Sequence, residues 1–281
     1  MSDIVLASED NQEYYAIQKY PYRKIVRYNG PIIKNPSQYS PRNTTRSKHN
    51  EIENAKIVMD KASSILQHFA SNAVYYNLSK EYEDDVFLYF KNDVNPNVGK
   101  LNFKIPNEDA YEDIINMLWD PNAPRNYSDN FVNGKILCTY DPNLVIIEHR
   151  YKDLTQSGQI YFHALFKKDQ ISEDTTILVM TSPNINDQHP YNNKYNNRIV
   201  EIANSFKTNI DSGKDIKKGK IEKMFVNLSG FIIKKEYKYV DITHIESIDF
   251  KCGYTHRINL QKVKTTKMLD VAKLKQKFDN E

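Results

Sequence analysis

At 281 residues the chain has the length of one large domain or of one domain with an extension. Hydrophobic residues make up 40% and charged residues 27%, enough for a packed core under a solvated surface, which excludes wholesale disorder. The net charge of +3 is too small for a general nucleic-acid binder, and no apolar run reaches the roughly 18 residues that a membrane span needs. Cys138 and Cys252 form neither a disulfide framework nor a zinc pattern; free core thiols are expected, and a single bridge stays open.

The opening MSDIVLASEDN lacks the basic and apolar regions of a signal peptide. A cytosolic chain and a secreted chain supplied without its leader both remain open. Residues 1–50 carry Pro21, Pro31, Pro36 and Pro41 among basic and aromatic side chains, and Tyr14 to Asn50 holds no acidic residue. This stretch reads as an extended basic arm. Together with the lysines from Lys262 to Lys277 it would favour an anionic membrane surface, by roughly 1 kcal/mol for each charge near it. Solvated charge is the simpler reading of either cluster.

From Glu51 the pattern changes. Ile52, Ala55, Met59, Ala62, Leu66, Phe69 and Ala73 recur at steps of three and four, which predicts an amphipathic helix. Strand runs follow at 86–91 and 100–105. Asn107 is a good N-cap, with Glu108 and Asp109 behind it, for a helix whose apolar face is Ile114, Ile115, Leu118 and Trp119. Pro121 and Pro124 stop it.

Further strand runs lie at about 133–140, 144–151, 159–167, 175–182, 220–234 and 238–250, separated by Asp141-Pro142-Asn143, Ser157-Gly158 and an Asn-rich stretch from Pro183 to Asn197. Residues 198–207 suit a strand or a helical turn. Thr265 to Asp279 turns helical, with Met268, Val271, Leu274 and Phe278 on one face and Leu269 and Ala272 beside them. The order predicts an α+β fold: a curved antiparallel sheet gripping a long final helix and enclosing a ligand cavity.

The stretches IINMLWDPN (114–122), NLVIIEHRYKD (143–153), YFHAL (161–165), IVEIANSFKTNID (199–211), KGKIEKMFVNLSGFIIKKE (218–236) and VDITHIESIDF (240–250) resemble a START (StAR-related lipid-transfer) domain. The wording is closer still to the Plasmodium fam-a family, which is built on that domain. The resemblance implies a helix-grip fold over 51–281. It also implies an internal tunnel for one phospholipid, phosphatidylcholine foremost, and transfer between membranes by a monomer in transient contact with their surfaces. It implies no catalysis and no cofactor beyond the carried lipid, and a secreted or exported location.

Several residues carry over. RNYSD matches an Arg-x-x-x-Asp segment and makes Arg125, with Asp129, the expected phosphate contact, since guanidinium binds phosphate through paired charge-assisted hydrogen bonds. The choline cage departs from the pattern, its tryptophan falling near Ile147. Tyr151, Tyr161, Phe162, Tyr127 and Trp119 are the nearby aromatics, and strand parity decides which point inward. Glu148 matches the buried acid of such tunnels, with His163 or Arg150 as partner, unless these charges lie on a solvated face. The door would be the terminal helix with the 152–158 loop. Met268, Leu269, Val271 and Ala272 would line the lid, and Lys267, Lys273 and Lys277 would meet headgroups. No Gly-x-Ser-x-Gly, His-Glu-x-x-His or P-loop motif is present, and His244 and His256 read as structural or surface residues. A hydrophobic-ligand sensor or interaction module, and an enzyme of the related Bet v 1-like superfamily, are the alternatives.

Overall fold

Alternating apolar residues dominate the chain beyond residue 85 and draw it into one large sheet. The computed structural model describes residues 41–72, 76–82, 85–91, 96–153, 158–190, 195–250 and 257–278. All of them lie in the compact unit Pro41–Glu281. Residues 1–40 of the expected arm, Ala73, His256 and Cys252 fall outside the described residues. Cys138 is a free, half-buried thiol.

The elements in order are helix α1 (Pro41–Ser71), strands β1 (Asn77–Tyr82), β2 (Val86–Lys91) and β3 (Val98–Ile105), helix α2 (Tyr111–Trp119), and strands β4 (Phe131–Asp141), β5 (Leu144–Lys152), β6 (Gln159–Ser172) and β7 (Thr175–Thr181). Short strands β8 (Asn184–Asn186) and β9 (Lys207–Asn209) precede helix α3 (Lys214–Lys217). Strands β10 (Glu222–Lys223), β11 (Phe225–Lys235) and β12 (Val240–Asp249) lead to helices α4 (Arg257–Ala272) and α5 (Leu274–Phe278).

The main sheet runs β1-β2-β3-β12-β11-β7-β6-β5-β4, every neighbouring pair antiparallel, with β10 added parallel to β6. The pairing of β3 with β12 sets the last strand beside the first hairpin, so the sheet curves as one surface. Strands β8 and β9 form a separate parallel pair.

The two sheet faces have different covers. On one, α1 buries Ala55, Val58, Met59, Ala62, Leu66 and Phe69 against Ile146, Leu165, Ile177, Val179, Leu228 and Ile245. On the other, α2, α4 and α5 pack with Leu88, Leu101, Phe103, Ile147, Phe166, Leu178 and Ile242. Helix α1 begins at Pro41, ten residues before the start that its apolar pattern marks. Lys100 Nζ donates to the Ala70 carbonyl at 2.7 Å and so satisfies an otherwise orphaned acceptor at its C-terminus.

Asn107 Oδ1 accepts from the Asp109 N–H at 3.0 Å, capping a 3-10 turn that runs into α2. Strand β1 escapes the sequence pattern because its side chains are mostly exposed and carry no apolar face. Residues 201–205 form a 3-10 turn. The terminal helix starts at Arg257, earlier than expected, and is interrupted at Lys273. Met268, Val271, Leu274 and Phe278 are all buried.

Candidate functional site

Strand parity sorts the side chains of β5 and β6. Val145, Ile147, His149 and Tyr151 share a face with Phe162, Ala164 and Phe166, towards α4. Glu148, Arg150, Tyr161 and His163 lie on the opposite face, with Leu144, Ile146 and Leu165.

The α4 side holds a cavity of about 40 Å³, room for a few water-sized groups. Its walls are His149 and Tyr151 of β5, Phe162 of β6, Met180 of β7, and Val226, Ser229 and Phe231 of β11. Strand β12 adds His244, Glu246 and Ile248, the segment before β4 adds Pro124, Tyr127 and Ser128, and α4 closes it with Lys267 and Val271. Tyr151 meets Phe131 edge-on at 5.4 Å and Phe162 at 6.3 Å, and Phe231 stacks on His244 at 4.4 Å.

Two of the lining residues carry charge, Glu246 and Lys267. Lys267 Nζ donates to Glu246 Oε2 and stands 5.7 Å from the centre of the Tyr151 ring. His244 donates Nδ1–H to the Gly230 carbonyl at 2.9 Å, which leaves Nε2 as a bare acceptor 3.9 Å from Glu246 Oε2. Burial lowers the His244 pKa to about 4, and burial with the nearby Lys267 charge lowers that of His149 to about 3. Both imidazoles are neutral at pH 7.

The acid expected in the tunnel lies elsewhere. Glu148 pairs with both expected partners, His163 at 2.9 Å and Arg150 at 2.7 Å, and with Lys135 at 3.3 Å. The group sits behind the sheet, away from the cavity, because residue 148 has the parity of Ile146. Burial opposes ionisation of Glu148, but hydrogen bonds from His163 and Arg150 bring its pKa down to about 2. Tyr161 donates to Asp187 at 2.9 Å in the same network, and Arg150 also reaches Asp215. Lys223 pairs with Asp187 at 2.6 Å. Asp187 belongs to the Asn-rich stretch, so part of that stretch is core: Asn197 is fully buried and bonds Thr181 and the Asn227 carbonyl.

Arg125 and Asp129 are exposed and do not line the cavity; Lys273, between α4 and α5, stands 3.5 Å from Asp129. Trp119 packs on Phe166 at 4.6 Å in the same core. Met268 is buried, its Sδ against Gly99, where an added Cβ would stand 2.2 Å away. Leu269 and Ala272 are half-buried against the same core. Of the expected aromatics, Tyr151, Phe162 and Tyr127 reach the cavity, and Tyr161 and Trp119 do not. Lys267 turns inward, whereas Lys277 bonds Asn126 at the surface. Residues 154–157 of the expected door loop lie outside the described residues.

The sequence reading missed Glu246, His244 and His149. Their signal was an ionisable residue of cavity parity in two strands that are otherwise apolar on that face.

The architecture is matched among solved structures. Human StAR-related lipid transfer protein 5 has a TM-score of 0.58 at 12% identity, over 81% of this chain and 97% of that one. Human STARD10 has a TM-score of 0.51 at 14% identity, over 75% and 80%. A STAR-related lipid transfer protein fragment from Xanthomonas axonopodis has 0.51 at 12%, over 73% and 99%. The shared feature is the START helix-grip fold, a curved antiparallel sheet closed by the C-terminal helix. No family model matches the sequence. No curated protein matches it significantly.

Proposed function

We propose that this protein is a lipid carrier, which takes one phospholipid, phosphatidylcholine foremost, beneath α4 and moves it between membranes. The observation that supports this reading is the cavity between the curved sheet and the last helix, in a fold shared with proteins described as lipid transfer proteins. Resemblance in the sequence supports a place in the Plasmodium fam-a family.

The physical argument concerns the acyl chains. Each methylene gains roughly 0.8 kcal/mol on leaving water, so a two-chain lipid travels only inside an apolar enclosure. The wall of Tyr151, Phe162, Met180, Val226, Phe231 and Ile248 supplies that surface. Its present volume admits water-sized groups, so lipid entry requires α4 to lift with Met268, Leu269, Val271 and Ala272. A brief meeting with a membrane surface would provide the occasion, and a monomer suffices. Among the described residues no helix is long and apolar enough to cross a membrane.

The test is what the protein carries. Organic extraction of the purified protein followed by mass spectrometry is expected to give phospholipid in a one-to-one ratio. Fluorescent phosphatidylcholine is expected to move between liposomes when protein is added. A protein that holds no lipid and moves none would sink the proposal.

A further inference from the structure

Lys267 is an unusual lysine for an exposed terminal helix. Its side chain is 20% exposed and its ammonium bonds Glu246, whose side chain is 7% exposed. The same ammonium stands over the Tyr151 ring, at 5.7 Å from its centre. A carboxylate beside an aromatic face is the environment that holds an organic cation.

Among the described residues of the sheet, no Lys or Arg pairs with Glu246. His244 points a bare nitrogen at the cavity and carries no charge at neutral pH. His149 is neutral as well. Lys264, one turn earlier on α4, feels the same carboxylate through space without an ion pair. The neutralising charge therefore rides on the helix that must lift for a lipid to enter. A lifted α4 leaves a carboxylate in a wall of aromatic and apolar side chains, which is costly unless another cation replaces the lysine.

We infer that Glu246 and Tyr151 form a cation site, filled in the closed protein by the lid's own Lys267 and passed to the ammonium of the ligand's headgroup when α4 lifts. This rests on the carrier reading and deepens it. One ammonium replaces another, so Glu246 keeps a cationic partner through the exchange. Lipids with a choline or ethanolamine headgroup satisfy this condition. Lipids whose headgroup is solely anionic or uncharged leave Glu246 without a partner. Glu246 thus sets the headgroup class, and the lysine acts as a tethered competitor that governs the opening of the lid.

The test uses the full chain with Glu246→Gln, Lys267→Met and the double variant, which leaves neither charge orphaned and controls for folding by thermal unfolding. Vesicles of equal dioleoyl-phosphatidylcholine and dioleoyl-phosphatidylglycerol are offered, and the extracted lipids are counted by mass spectrometry. Wild type is expected to favour the choline lipid by about tenfold, the equivalent of one desolvated cation contact. Glu246→Gln and the double variant are expected to lose that preference, and Lys267→Met to keep it. Free choline, titrated calorimetrically, is expected to bind Lys267→Met and not the double variant, which separates the headgroup from the rest of the lipid. A preference that survives in Glu246→Gln overturns the inference while the carrier reading stands. Choline binding to Lys267→Met with no lipid taken up by any variant discards the carrier reading and keeps the cation site. Failure of both lipid uptake and choline binding overturns both.

Discussion

Glu148 and His163 stand directly across from each other on β5 and β6, Oε2 to Nε2 at 2.9 Å, on the sheet face turned away from the cavity. The pair therefore holds the sheet to its surroundings rather than meeting a ligand. Glu148→Ala is expected to cost about 3–5 kcal/mol, the usual penalty for orphaning the partners of a buried carboxylate. Urea unfolding measures it. Lipid bound per folded molecule should be unchanged, and a lost lipid load at full stability would contradict this placement.

Acid should weaken the fold through two cavity histidines. The pKa of His149 is lowered to about 3 and that of His244 to about 4. As pH falls below 6.5 the unfolded chain takes up protons at these positions and the folded chain does not, so stability falls. The loss is about 2 kcal/mol for each histidine at pH 5, at 1.4 kcal/mol per pH unit. His244→Asn keeps a donor for the Gly230 carbonyl and removes the titration. Thermal unfolding at pH 7 and pH 5 should show a smaller difference in that variant than in wild type. Glu148 acts lower on the scale: its contribution is full above about pH 4.5 and fades as pH falls towards 2.

The seat of α4 depends on the absence of a side chain at Gly99. An alanine Cβ at Gly99 would collide with Met268 Sδ at 2.2 Å. Gly99→Ala is expected to cost about 1–3 kcal/mol by overpacking and to speed lipid exchange between vesicles. Adding Met268→Ala to it should restore part of the stability, because the smaller side chain vacates the contested space. Equal losses in the single and double variants would show that α4 does not rest on this contact.

Arg125 and Tyr151 make opposite predictions. Arg125 is exposed outside the cavity, so Arg125→Ala should leave transfer of fluorescent phosphatidylcholine within about twofold, as expected for a solvated charge. Tyr151→Leu retains apolar volume but removes the ring under Lys267, and should lower that transfer by up to about tenfold. A large loss in Arg125→Ala alone would return the phosphate contact to the RNYSD segment.

Much of the architecture was legible in the chain. The steps from Ala55 to Phe69 marked the buried stripe of α1, Asn107 marked the entry to α2, and Met268, Val271, Leu274 and Phe278 marked the buried face of the last helix. These are local signals, written at helical or capping spacing. Strand β1 was silent because an edge strand with exposed side chains has no apolar alternation to show.

The partners of Glu148 were legible too: His163 and Arg150 were the two alternatives, and Glu148 meets both. Its face was not. Alternation states that residues 148 and 149 point to opposite sides, but which side holds the cavity depends on where α1 and α4 pack. The inward turn of Lys267 likewise depends on β12 lying beneath α4, a contact across the last loop. The sequence by itself determined the elements, their order and the two sets of side chains that each strand presents. Only the tertiary structure decided which set faces α4, because burial is a property of the assembled layers and is not carried by any one strand.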